Sequence, residues 1–420
     1  MTLNRRSFLG GLAGLPFATR AFASSSWQLP RRSHRSLILI WLDGGLSHLD
    51  SFDCKPEAST DIRGDLASRR SAVDGVFVSE HLPQLAQRLD RMALLRSVTH
   101  GEGNHDRGSH LFLTGHRPSA VLVHPSLGAV HGSDAKADSV LPPYIAIPEA
   151  VQFAGAGFLP MMRGPFAVGG DPGRPDFAVR NLQGDSGVGS ARRRELRAAI
   201  DAMDGAPRSD AEVQRDHIVA AARRLSESPI ARRSFDLTAE PAELRARYGR
   251  NRLGQSCLLA RRLVQGGVRT VLVRDGGWDH HQQIKTAMTY GFPPKLQALD
   301  QSVSALLDDL RQQQLDESVV VCVASEFGRT PRLNPRGGRD HWPRAQSVLM
   351  FGAGIQPGVI GRTDARGEEP IERPIAPGDV FATLASALGM DLDLVLKTRD
   401  GRPVRLVADG SHPVYEVLQT

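Results

Sequence analysis

The sequence predicts an α/β fold in which a mostly parallel sheet is packed between helices, and three observations carry that reading. Leu37–Leu42 and Val319–Ala324 are unbroken apolar runs, the pattern of strands buried on both faces, and Val268–Val273 reads as a further strand. Leu296, Leu299, Val303, Leu306, Leu307 and Leu310 recur at intervals of three and four, which makes one apolar helix face between the second and third of those strands. Strand, helix, strand in that order is a right-handed crossover unit. Each run also stops in glycine, acids and histidine, and ligands bind beyond the carboxyl ends of strands in such sheets.

Taken along the chain, Leu37–Leu42 is the first strand and delivers Asp43, Gly44, Gly45, Ser47 and Asp50. His81-Leu82-Pro83 opens an amphipathic helix with Leu85, Leu89 and Met92 on one side, and a short strand follows that ends near Val98. Beyond it the run from His100 to His110 holds three histidines, His100, His105 and His110, and reads as a loop. Residues 142–248 are expected to form a cap: a Gly-, Pro- and Phe-rich part to Leu182, then a helical, charge-mixed part with a solvated face. A helix over Leu253–Gln265 ends at Gly266-Gly267, and the strand after it ends in Asp275, Gly276, Gly277, Trp278, Asp279, His280 and His281. The strand at Val319–Ala324 delivers Glu326, Arg329, Asp340 and His341, two Gly-rich turns letting the backbone approach a ligand there. A strand at Ser347–Phe351 and a helix at Asp379–Leu388 complete the core.

At 420 residues with 40% hydrophobic content the chain has ample material for a large core, and its 42 Gly and 27 Pro indicate many loops. Asn4-Arg5-Arg6-Ser7-Phe8-Leu9, the short apolar stretch after it and Ala21-Phe22-Ala23 read as a twin-arginine signal over residues 1–23, with a linker over 24–36. A periplasmic or secreted protein is the expectation. Losing that signal removes three arginines and no acid from a formal net charge of +6. So small a surplus, spread among acids, argues against nucleic acid as a partner. No run is long and apolar enough for a membrane span. Cys54, Cys257 and Cys322 make neither a disulfide framework nor a thiolate metal site.

The strand ends therefore present Asp43 with Ser47 and Asp50, the His100, His105 and His110 group, Asp275 with Asp279 and His281, and Glu326 with Asp340 and His341. Asp, Glu and His without Cys suit Zn²⁺, Mn²⁺, Mg²⁺ or Ca²⁺, and two cations about 4 Å apart could polarise a phosphoryl or sulfuryl oxygen and its leaving group. Arg329 is the candidate clamp for a non-bridging oxygen. Ser47 is either a nucleophile activated by metal or a brace for the Gly44-Gly45 turn.

Gly44-Gly45-x-Ser47-x-x-Asp50-x-x-Asp53-x-Lys55-Pro56, Leu113-Thr114-Gly115, Gly277-Trp278-Asp279-x-His281, Glu326-Phe327-Gly328-Arg329-Thr330-Pro331 and Gly338-Arg339-Asp340-His341-Trp342-Pro343 are among the motifs by which the sequence resembles the DUF1501 family of exported bacterial proteins. The resemblance runs from about Leu37 to the carboxyl terminus. It implies an alkaline phosphatase-like fold, related to sulfatases, in which Asp43, Asp279, His281, Glu326 and His341 hold metal, with His105 or Asp340 completing the set. Two departures stand out. Phe327 follows Glu326 where a ligating residue is usual, and the Cys-x-Pro-x-Arg nucleophile motif of sulfatases is replaced by a segment that puts His105 near the nucleophile's position. Two readings follow: a metal-dependent hydrolase of phosphate or sulfate esters, or a non-catalytic member that keeps the fold and part of the metal site as a binding or assembly partner.

Overall fold

The computed structural model describes residues 35–134, 139–179, 210–285 and 291–419, with isolated positions at 182, 192, 195, 196 and 199. The twin-arginine segment and most of the linker lie outside the described residues, as does most of 183–209.

Eight strands form the central sheet: β1 (Ser36–Asp43), β2 (Ala93–Val98), β3 (Tyr144–Ile147), β4 (Phe166–Ala167), β5 (Thr270–Gly276), β6 (Val319–Ala324), β7 (Gln346–Gly352) and β8 (Gly358–Ile360). They lie in the order β8-β2-β7-β6-β1-β5-β3-β4. β7 is antiparallel to both its neighbours, and every other adjacent pair is parallel. The mixed, mostly parallel α/β sheet expected from the apolar runs is what the chain forms. The alternation of side chains divides β1 between two cores: Ile38, Ile40 and Leu42 enter one, and Leu37, Leu39 and Trp41 the other. Helices α2 (Arg252–Gln265) and α3 (Phe292–Gln312) fill the first, while α1 (His105–Thr114) and α4 (Pro377–Ala387) fill the second.

The leucine stripe of α3 is buried as its spacing requires, from Leu296 to Leu310. β5 and β6 flank β1, so α3 carries the chain across β1 rather than to an adjacent position. The consequence for function is direct. β6, β1 and β5 run parallel, and the loops that follow Ala324, Asp43 and Gly276 leave the sheet side by side.

The segment from 142, read as strands and loops, contributes β3 and β4 to one edge of the sheet. One expectation needs correction. The stretch expected to be a histidine loop is the helix α1, whose Asn104 side chain accepts the Asp106 and Arg107 amides as an N-cap. Glycine in its middle hid it. A Cβ at Gly108 would stand 3.1 Å from the Glu326 carbonyl oxygen, so a side chain there would crowd the close approach of the helix to the Glu326 loop.

Candidate metal centre

The Gly44-Gly45 turn after β1 is the floor of the site. Gly44 has φ of +122°, and a Cβ on it would come within 2.5 Å of the Asp279 amide nitrogen. Only glycine permits both that backbone conformation and that approach. The turn is then tied to the two neighbouring loops: Glu326 Oε1 accepts the Gly44 amide at 2.9 Å, and Arg329 Nε donates to the Gly45 carbonyl at 3.0 Å.

Above this floor the side chains of Asp279, His105, His281 and His341 converge. His105, Asp279 and His341 present ligand atoms within 4.8 Å of one another, the one such group of His, Cys, Asp and Glu among the described residues. His281 Nε2 lies 3.0 Å from Asp279 Oδ1 and 3.1 Å from His341 Nε2. His341 Nε2 is 3.3 Å from Asp279 Oδ1, and His105 Nε2 is 3.5 Å from Asp279 Oδ2.

What fixes the rings is behind them. His105 Nδ1 is 2.5 Å from Glu326 Oε1, His281 Nδ1 is 2.7 Å from Asp340 Oδ1, and His341 Nδ1 is 2.9 Å from the Gly103 carbonyl oxygen. A carbonyl or carboxylate oxygen only accepts, so each Nδ1 carries the proton and each neutral ring turns an Nε2 lone pair inward. Three lone pairs and a carboxylate then face one another. That arrangement is repulsive unless a proton or a cation lies among them. Ligand atoms about 2.0–2.1 Å from zinc stand roughly 3.3 Å apart on a tetrahedron, close to the spacings of this group. Outer acceptors on every histidine are also how metal-binding imidazoles are oriented. The donor set fits a divalent cation.

Without a cation, protons take its place. Hydrogen bonds to Asp279 and then Glu326 raise the His105 imidazole to about 9. Burial alone would push the Asp279 carboxyl up, but hydrogen bonds from His105, His341 and Arg329 outweigh it and hold it well below the usual carboxylate range. A histidine whose pKa is raised in the folded state stabilises that state fully below its unfolded pKa of about 6.5, and the contribution is lost as pH rises through 9. Chelator-treated protein should therefore melt at a lower temperature at pH 9.5 than at pH 6.5. Cation binding must displace the same proton, so affinity for metal should rise across that window. A melting temperature of the stripped protein that stays flat across the window would remove His105 from the centre.

The remaining sequence candidates sit one step away. Glu326 is wholly buried behind His105; its Oε2 has no hydrogen-bond partner among the described residues. Asp340 stands behind His281 and also accepts from Asn334 Nδ2 at 3.2 Å. Asp43 accepts from Arg274 Nε at 2.8 Å and Nη2 at 2.6 Å, which commits its carboxylate to an ion pair outside the convergent group. Arg329, 1% exposed, donates to the Gly44, Gly45 and Arg339 carbonyls and to Asp279, so it braces the centre from inside the fold. Ser47 is wholly buried and donates to Asp50 Oδ2, the contact of a brace beneath the turn. Among the three clustered histidines, His105 alone joins the group. His100 binds the Glu326 carbonyl at 2.9 Å, and burial pushes it down to about 4; His110 packs against Phe153.

Sequence reasoning missed two participants, and for Phe327 it missed the packing role. The Gly103 carbonyl orients His341, Asn334 joins Asp340 to the His281 carbonyl, and the Phe327 ring lies 5.0 Å from His105 and 4.6 Å from His341. Phe327 cannot ligate, but it walls the two imidazoles from beneath. Asp279, His280, His281, Gln282 and Arg336 line a cleft of about 400 Å³ that opens from the centre.

Fold and site together define a mixed α/β protein with a histidine–carboxylate candidate metal centre at the carboxyl ends of its parallel strands. Residues 34–418 match the family described as protein of unknown function DUF1501, and the chain belongs to that family. No curated protein matches the sequence. Among solved structures it is similar to a protein in the alkaline phosphatase superfamily from Vibrio parahaemolyticus, with 10% identity, TM-score 0.40, and coverage of 86% of this chain and 69% of that one. It is also similar to the phosphonate monoester hydrolase SpPMH from Silicibacter pomeroyi, with 11% identity, TM-score 0.38, and coverage of 90% and 78%. A third is the PsFucS1 sulfatase from Pseudoalteromonas sp., with 13% identity, TM-score 0.37, and coverage of 85% and 68%. At that likeness the site itself has to carry a functional reading. No helix among the described residues is long and apolar enough to cross a membrane.

Proposed function

We propose that this chain is an exported, metal-dependent hydrolase of phosphate or sulfate esters with one divalent cation held by His105, Asp279, His281 and His341. The observation that carries it is the convergence of histidine lone pairs and the Asp279 carboxylate with every Nδ1 anchored outward. Three imidazoles to one carboxylate favour Zn²⁺ or another imidazole-preferring ion over Ca²⁺ or Mg²⁺. Such a cation supplies charge that polarises a phosphoryl or sulfuryl oxygen. The chain's own residues hold the geometry. Glu326, Asp340 and the Gly103 carbonyl fix the three rings, Arg329 fixes Asp279, and Phe327 keeps water from the underside. With Ser47 buried in a brace, the attacking group would be water rather than a side-chain hydroxyl.

Elemental analysis tests the first step. Purified protein should contain about one equivalent of zinc or another imidazole-preferring ion, and His341→Ala should lose most of it. Metal-free protein after soaking would sink the reading. The burial of Ser47 also favours a second one, in which the centre is kept for binding or assembly. Metal retained by the parent with no turnover across a screen of phosphate and sulfate monoesters and diesters would select that alternative.

A further inference from the structure

We propose that Arg336 is the residue that recognises the anionic oxygens of the substrate, the part expected of Arg329; this rests on the hydrolase reading above. Arg329 is closed off inside the fold, whereas Arg336 is exposed and lines the cleft together with Asp279 and His281. Its guanidinium has no hydrogen bond or ion pair among those of the described residues, and a planar donor fork of this kind matches two oxygens of a phosphate or sulfate.

The backbone holds it there from several sides. The Arg336 amide donates to Asn334 Oδ1 at 3.0 Å, and its carbonyl accepts the Gln283 amide at 3.0 Å. The neighbouring Gly337 forms an antiparallel bridge with Gln282. Asn334 Oδ1 also accepts the Gly338 amide at 3.1 Å, while its Nδ2 donates to the His281 carbonyl at 2.9 Å and to Asp340 Oδ1 at 3.2 Å. One asparagine thus fixes the turn that carries Arg336 to His281, which faces the centre, and to Asp340, which stands behind it. Gln283 is held at φ of +46°, a left-handed conformation uncommon for a residue with a side chain, where it receives that turn. The charged group facing Arg336 from its own loop is Asp340, whose carboxyl is held low first by its hydrogen bond to His281 and in smaller part by Arg336. Asp340 is already committed to His281 and Asn334, so the Arg336 fork remains open to an incoming anion. The ligand class is a tetrahedral oxyanion, phosphate or sulfate, presented beside the metal ligands.

Calorimetric titration of the zinc-loaded protein with inorganic phosphate and, separately, with inorganic sulfate tests the assignment. Arg336→Ala should weaken binding of the preferred anion about 10- to 100-fold, the scale of a lost charge-assisted pair, and Arg336→Lys should recover part of it. Metal content should match the parent in both variants. The stronger of the two anions identifies the ester class. Equal anion affinity in parent and Arg336→Ala, or no affinity for either anion in the parent, would overturn the proposal while leaving the metal reading in place. Failure of that underlying reading has a different signature, since the parent itself would then carry no metal.

Discussion

Asp279→Asn should abolish metal binding and hydrolysis, and in chelator it should be less stable than the parent, because the hydrogen bonds from His105, His341 and Arg329 that hold the carboxylate ionised are stabilising contacts. The carboxylate is the one negative group among the converging donors, and its Oδ1 alone lies near His281 Nε2, His341 Nε2 and an Arg329 Nη2 proton. Replacing it by an amide removes the charge that balances a dication. Loss of an outer-sphere partner of a metal costs about 10- to 100-fold in affinity, and loss of a direct carboxylate should exceed that. Measured as metal content and as melting temperature with and without chelator, the parent should lose several degrees in chelator and Asp279→Asn none. The His105 pKa should also drop, since the bond to Asp279 is the largest cause of its rise. An Asp279→Asn protein that keeps its full complement of zinc would exclude Asp279 as a ligand.

The sequence made the location of this centre legible but not the division of labour within it. Buried apolar runs marked β1, β5 and β6 because a strand covered on both faces has no polar alternation, and polar residues at their carboxyl ends then marked one edge. Roles in the loops were another matter. Side-chain direction follows a period in helices and strands, and a loop has none. Glu326 and His341 looked equivalent as candidates, yet Glu326 is sealed behind His105 while His341 faces the centre. Asp43 looked like a ligand until the fold brought Arg274, on the neighbouring strand, against it. Both facts depend on which strands are adjacent. The helix α1 was hidden for a related reason, since Gly108 weakens the helical signal to admit the Glu326 loop.

Arg339→Ala should give the largest loss of stability of any single change near the site, about 3–5 kcal/mol, because it breaks a fully buried ion pair and strands the partner charge. Arg339 is 0% exposed and Asp50 is 2% exposed. Arg339 Nε donates to Asp50 Oδ2 at 2.6 Å and Nη2 to Oδ1 at 3.1 Å, and the rest of the guanidinium serves the Ile62, Thr330 and Pro331 carbonyls. Truncation leaves a desolvated carboxylate and three carbonyls without donors. A double-mutant cycle by chemical denaturation, with Asp50→Ala as the partner, should show strong coupling, the double variant costing clearly less than the two single changes together. A cost under about 1 kcal/mol for Arg339→Ala would mean that water enters and the pair is not the anchor inferred here. Its position gives the pair a functional reach. Arg339, Asp340 and His341 are consecutive: the first is locked into the core through Asp50, the second orients His281, and the third offers its own Nε2 to the centre. Loosening the first should therefore weaken metal retention at two histidines, Asp340→Asn at His281 alone, and the ratio of their metal losses separates anchoring from orientation.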